Sequence, residues 1–314
     1  MFPFLDLPAE IRALVIEHAL FDSRDPPRYP TLENRVQLSD IRHLAWRARP
    51  HYENFKTHSP SNCLALLLIY PQISTETRTM MNLQKKTNYH LDISVLDDNE
   101  VFPTWLSVPF LTTRINKLFV DVRLFGNIIS PHVSWRLRGD GGHAQYEWDF
   151  LALLERFLRY GPVGEKKRPD GIRWSPSVRD EERFISDRGI KVDTVILDFS
   201  SAEEGGKLAP REVTYVDWRR IFIPGRSGFK DGIMLEEYNT RPEWLAELLA
   251  DEINCCLHFG RDREMFGKLM FERLRMIRMF VDGKSFQDID VAGRLDDLKY
   301  HAQEEYVPEW VQDI

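Results

Sequence analysis

Apolar residues recur every three or four positions in four stretches of the chain and every second position in three others. That mixture predicts helices together with half-buried strands. Near the amino terminus Leu7, Ile11, Leu14, Val15 and His18 form one stripe, with Glu10, Arg12 and Glu17 off it. Asp6 is placed to cap free N–H groups and Pro8 suits a first helical turn, so the helix is expected to start near residue 7 with one apolar face to bury. Phe2, Phe4, Leu5 and Leu7 crowd a terminus that is ordinarily polar, which points to a terminus held against something. Farther on, Glu147 to Tyr160 places Trp148, Leu151, Leu154 and Leu158 on one side, with Gly161 as its stop. Pro242 opens a helix over Arg241 to Phe259, whose stripe is Trp244, Leu245, Leu248, Leu249, Ile253, Cys256 and Leu257. Asp262 to Val281 reads as a basic amphipathic helix, with Phe266, Leu269, Met270, Leu274 and Ile277 inward and Lys268, Arg273, Arg275 and Arg278 outward.

The period-two segments are Tyr89 to Leu96, Ile115 to Phe125 and Val192 to Phe199, all enriched in β-branched and aromatic residues. They share an apolar-x-apolar-Asp-apolar texture reminiscent of stacked repeat units, but their spacings are too long and unequal for a repeat. An ordinary mixed sheet is the expectation, and with the helices it makes the fold class α+β.

Between these elements, Leu64 to Tyr70 is an apolar run broken by Pro71, expected to kink a helix or start a second one. Asp25 to Pro30 is a loop by its prolines, and Arg42, His43, Trp46, Arg47, Arg49, His51 and Tyr52 make the following stretch basic and aromatic. Gly161 to Gly189, with Glu165-Lys166-Lys167-Arg168-Pro169-Asp170, reads as a surface insertion.

Two of these stretches carry a resemblance. The Leu7-Pro8-Ala9-Glu10-Ile11 start, and Leu66-Leu67-Leu68 followed by Gln72-Ile73-Ser74-Thr75-Glu76, are similar to the opening of fungal F-box-like proteins. The resemblance implies an F-box-like helical module over residues 1–84, with an inserted loop, packed on a mixed α/β interaction domain over residues 85–314. It also implies that Leu5, Leu7, Pro8, Ile11 and Leu14 meet the Skp-type adaptor of a cullin-RING ubiquitin ligase while the rest of the chain recruits an unknown protein substrate. An interaction scaffold unrelated to any ligase, and an enzyme with dispersed catalytic residues, are the alternatives.

Composition narrows the field. At 314 residues, 43% hydrophobic, 12% aromatic and 29% charged, the chain can bury a sizeable core. A net charge of −7 argues against nucleic acid as the main partner. No apolar stretch reaches membrane-spanning length, and Asp6, Glu10, Arg12 and Glu17 interrupt anything resembling a signal peptide. Three cysteines, two of them adjacent, are no disulfide framework, so cytoplasm or nucleus is the expected location.

Candidate chemistry is thin. In Ser200 to Leu208, Ser201 stands where a phosphate loop needs its first glycine, and Leu208 where it needs Ser or Thr. Gly225 to Phe229 lacks the last glycine of a nucleophile elbow, and Arg138 to His143 is a glycine turn. Cys255, Cys256 and His258 lack zinc-finger spacing, and Cys63 stands alone. The sequence predicts no catalytic, cofactor or metal residues, and hence a protein that acts by binding. The Met-rich segment 262–281 offers a further candidate, a groove-binding or membrane-surface helix, against packing in the core.

Overall fold

The computed structural model describes residues 4–37, 50–54, 61–84, 87–126, 145–162, 187–202, 207–215, 229–230, 233–234, 238–258, 264–301, 311 and 314. In chain order these form α1 (Ala9–Leu20), β1 (Arg35–Gln37), β2 (His51–Glu53), α2 (Cys63–Ile69), α3 (Pro71–Leu83), β3 (Thr87–Leu96), β4 (Glu100–Ser107), β5 (Arg114–Phe125), α4 (Gln145–Tyr160), β6 (Lys191–Ser201), β7 (Phe229–Lys230), β8 (Ile233–Met234), α5 (Pro242–Leu257), α6 (Glu264–Arg273), β9 (Leu274–Val281), β10 (Lys284–Asp290) and α7 (Val291–His301). The fold is α+β, built on a six-stranded mixed sheet in the order β10-β9-β6-β5-β3-β4. β3, β5, β6 and β9 run parallel, and an antiparallel hairpin closes each edge.

The three alternating segments become β3, β5 and β6, neighbours at the centre of the sheet. Their register aligns apolar residues across the strands: Leu91, Val120, Leu197 and Met279 form one row, and Ile93, Val122, Phe199 and Val281 the next. All eight are buried. Helices α4, α5 and α6 connect the parallel strands, touch one another and close over this side. Because successive strand residues point to opposite faces, the aspartates of the shared texture fall on the other side, where Asp92, Asp121 and Asp198 align across β3, β5 and β6.

Two helices differ from expectation. α4 is not one-sided: Tyr146, Phe150, Leu151, Ala152, Leu153, Leu154, Phe157 and Leu158 are buried together with Glu147, Asp149, Glu155 and Arg156, so the helix is enclosed on nearly every side. The predicted basic helix over Asp262 to Val281 forms only in its first half. α6 stops at Arg273 and the next eight residues are β9, paired in parallel with β6. Leu, Met and Arg are good helix formers, but propensity is a weak constraint and the ladder offered by β6 overrides it. Arg273, expected to face outward, instead pairs with Asp187 at 3.2 Å and donates to the carbonyl of Leu158. The signal for β9 and β10 lies in Asp282-Gly283, a two-residue turn with φ of 49° and 72° that joins paired strand ends at Val281 and Lys284.

The connection between α1 and α2 adds the antiparallel strand pair β1–β2 to the sheet domain. Tyr52 of β2 is buried, donating to the carbonyl of Pro162 at 3.0 Å and accepting from Trp105 Nε1 at 2.7 Å. Three arginines tie this connection down. Arg24 Nε donates to the Trp105 carbonyl at 2.7 Å, Arg35 Nη2 to Thr104 Oγ1 at 2.7 Å, and Arg123 Nη2 to the Pro27 carbonyl at 2.8 Å. Arg123 also holds Asp92, which has no exposed surface; burial pushes that carboxyl up against the pull of the guanidinium. Residues 38–49, with Arg42, His43, Trp46, Arg47 and Arg49, lie outside the described residues, as do most of the 161–189 insertion and the Arg138–His143 turn.

Tyr89 joins the helical module to the sheet. Its buried hydroxyl donates to the Phe110 carbonyl at 2.7 Å and accepts from the Thr112 N–H at 3.1 Å, and Phe110 itself sits in the core of the helical module. Burial pushes the Tyr89 phenol up to about 12, so it stays a donor across the physiological range. Tyr89→Phe leaves both backbone groups unpaired and is expected to cost about 1–3 kcal/mol. A lower urea midpoint at unchanged slope would bear this out, and a wild-type midpoint would not.

A candidate protein-docking face

The amino-terminal helices form a second, smaller core. Ile16, Leu20, Cys63, Ile73 and Phe110 are buried, and Phe4, Leu5, Phe21, Leu66, Leu67, Met80 and Met81 pack against them. Pro71 stands in the first turn of α3, so it starts the second helix of the pair rather than bending one helix. Cys63 Sγ lies 3.6 Å from Met81 Sδ, and burial pushes its thiol up.

α1 begins later than the sequence predicts and turns the other way. Phe4–Asp6 is a short 3-10 turn, Pro8 holds the N-cap position, and its carbonyl accepts from the N–H groups of Ile11 and Arg12, both at 3.1 Å. Asp6 makes no capping bond to the helix. The buried side is Arg12, Ile16 and Leu20. Arg12, which lies off the apolar stripe, proves central: its Nε and Nη2 approach Glu76 Oε1 on α3 at 3.1 and 2.7 Å, and its Nη1 donates to the carbonyls of Leu5 and Leu7. Five fixed donors on one planar group can serve a carboxylate and two carbonyls together. The two sequence signatures thus meet physically, since the Arg12 that follows Glu10-Ile11 grips the Glu76 that ends Gln72-Ile73-Ser74-Thr75-Glu76. Hydrogen bonding to Arg12 holds the Glu76 carboxyl below the usual carboxylate range, and Gln72 Nε2 adds a bond at 3.2 Å.

With Arg12 turned inward, the predicted stripe faces water. Ile11, Leu14 and Val15 are 43%, 61% and 45% exposed. On α2, Leu64 and Leu68, one turn apart, are 65% and 75% exposed, and Ile69, Tyr70 and Leu83 are exposed as well. Asn62 Nδ2 donates to the Ala19 carbonyl at 3.1 Å, which brings the start of α2 to the end of α1. Of the five residues predicted to meet a partner, Pro8, Ile11 and Leu14 are exposed, Leu7 is half-buried, and Leu5 packs against the module's own core. The crowding of Phe4 and Leu5 at the terminus therefore has an internal cause; Phe2 lies outside the described residues. Val15 stood in the predicted stripe and Leu64 and Leu68 in the apolar run after it, but periodicity locates an apolar stripe and not the side on which the chain packs.

Other candidates fare differently. Cys256 is buried in α5, and His258 Nδ1 lies 2.7 Å from the carbonyl of Asn254. Among the described residues no cluster of His, Cys, Asp and Glu could hold a metal ion, and no helix is long and apolar enough to cross a membrane. Beneath α4 a void of about 30 Å³, lined by Leu91, Trp105, Leu118, Phe157 and neighbouring apolar residues, has room for about one water and no polar group suited to hold it. Residues 203–206, 225–228 and 306–310 lie outside the described residues. No protein-family model, curated protein or solved structure matches this chain.

The Arg12–Glu76 pair makes the stability of the module depend on pH. A carboxyl with a lowered folded value contributes stability that is complete above its unfolded value of about 4.3 and is lost as pH falls through the folded value. Glu76→Gln is expected to lower the urea midpoint at neutral pH and to converge with wild type in acid. Parallel curves down to about pH 3 would refute the assignment.

Proposed function

We propose that this protein is a non-enzymatic adaptor whose helical module docks on a Skp-type adaptor of a cullin-RING ubiquitin ligase while the sheet domain carries a protein target. One observation supports the reading above the rest: Ile11, Leu14 and Val15 stand out in water on a helix whose opposite side is already pinned by Arg12, Ile16 and Leu20. Contiguous exposed apolar side chains on a helical module are the ordinary mark of a protein-binding surface. The two sequence signatures add the resemblance that names the partner. No chemistry is required of the chain, because holding a target beside the ligase raises the effective concentration of its lysines.

Co-purification with the Skp-type adaptor tests the proposal. Leu14→Asp and Val15→Asp should leave the thermal midpoint unchanged, since both side chains are exposed, yet weaken binding by about thirtyfold or more through loss of apolar burial. Ile16→Asp, in the module core, should instead unfold the module. Soluble wild-type protein that fails to bind, or a folded Leu14→Asp variant that binds normally, would overturn the reading.

A further inference from the structure

The sheet face opposite α4, α5 and α6 carries its own pattern. Register places Phe119 beside Ile196 on β5 and β6, and Asp121 beside Asp198 one row on, with Phe280 of β9 completing that row. Lys117, Thr194 and Met276 form the row on the other side of Phe119 and Ile196. Arg278 lies next to Ile196, pairs with Asp288 of β10 at 3.2 Å and stacks over the Phe280 ring at 5.7 Å. Parallel sheets are ordinarily covered on both faces, but here the side chains of Asp121, Arg278 and Asp288 are 41%, 46% and 47% exposed.

Like charges on adjacent strands repel, and a chain that keeps them on one face departs from the rule of paired opposites. The third aspartate of the row shows the usual remedy, because Asp92 is neutralised by Arg123. Asp121 has His90 at 2.7 Å, a cation only in its protonated form, and Asp198 has the N–H of Gly283 at 3.1 Å. Among the described residues, neither is paired with a permanent cation. Asp288 lies in the row of Phe119 and Ile196, beside Arg278, and Asp290 in the row of Lys117; with Arg123 taken up by Asp92, the charges of the described residues around the apolar strip sum to a negative balance.

We propose that this face is a docking surface for a basic segment of a partner protein, one that sets lysine or arginine against Asp121 and Asp198 and an aliphatic residue between Phe119 and Ile196. The occupant is inferred from charge and register alone, so the proposal stands whether or not the helical module binds a ligase adaptor.

The test uses the full chain and short synthetic peptides in which valine takes turns with lysine, serine or glutamate at every second position, threonine filling the positions between, so that both side chains face the sheet; they are titrated by calorimetry at low and high salt. The lysine peptide should bind, lose affinity with salt and outcompete the serine peptide, and the glutamate peptide should not bind. Asp121→Asn with Asp198→Asn retains an acceptor for His90 and for the Gly283 N–H while removing both charges. This double variant should keep the wild-type thermal midpoint and bind the lysine peptide about fivefold more weakly. Glu17→Gln on α1 removes an acidic charge from the other module and should leave affinity unchanged. Equal binding of lysine and glutamate peptides, a folded double variant with wild-type affinity, or an equal loss in Glu17→Gln would each overturn the proposal.

Discussion

The guanidinium of Arg12 is shared between Glu76 of α3 and the carbonyls of Leu5 and Leu7, and that sharing sets the rotation of α1 about its own axis. A helix with apolar residues on two sides has two ways to pack. Ile11, Leu14 and Val15 are as greasy as Ile16 and Leu20, so burial of area alone decides little between the orientations. The observed orientation adds charge-assisted bonds from Arg12 to Glu76 and bonds to the carbonyls of Leu5 and Leu7, which a rotated helix with Arg12 in water would forgo. What is left outside is a consequence of what Arg12 must satisfy inside.

Much of the fold was legible, and the misses have definite causes. β3, β5 and β6 announced themselves by alternation because each has one face under helices and one face polar. The break at Pro71 was visible because proline fits a first turn and not a helix interior. β4 escaped because it does not alternate: from Val101 to Leu106 every residue is buried, and Pro103 argues against a strand unless the strand lies at an edge, as this one does. β9 escaped because its residues are acceptable helix formers and only the ladder to β6 makes them extended. The site was half legible: Ile11 and Leu14 stood in the stripe, but a stripe carries no sign that distinguishes the inside of a protein from a surface kept for something else.

The aspartates show the same ambiguity from the other direction. A repeated texture in three strands reads as a hint of internal repetition, whereas its physical content is register. Placing Asp92, Asp121 and Asp198 side by side required only that three strands with the same alternation pair in parallel. One is paired with arginine and buried beneath the chain at Pro27, and two are left facing outward. The row thus runs from a carboxylate paired with arginine to two held by His90 and by the Gly283 N–H.

The bonds made by Arg24, Arg35 and Arg123, together with the seat of Phe110 among the amino-terminal helices, leave little slack where the chain passes between the two cores. Two parts joined by a flexible tether sample a cloud of separations and tolerate partners of many sizes. Joined in this way, they act as a calliper of fixed opening. On the proposed reading, whatever one jaw held would be reached only by something whose dimensions match the gap.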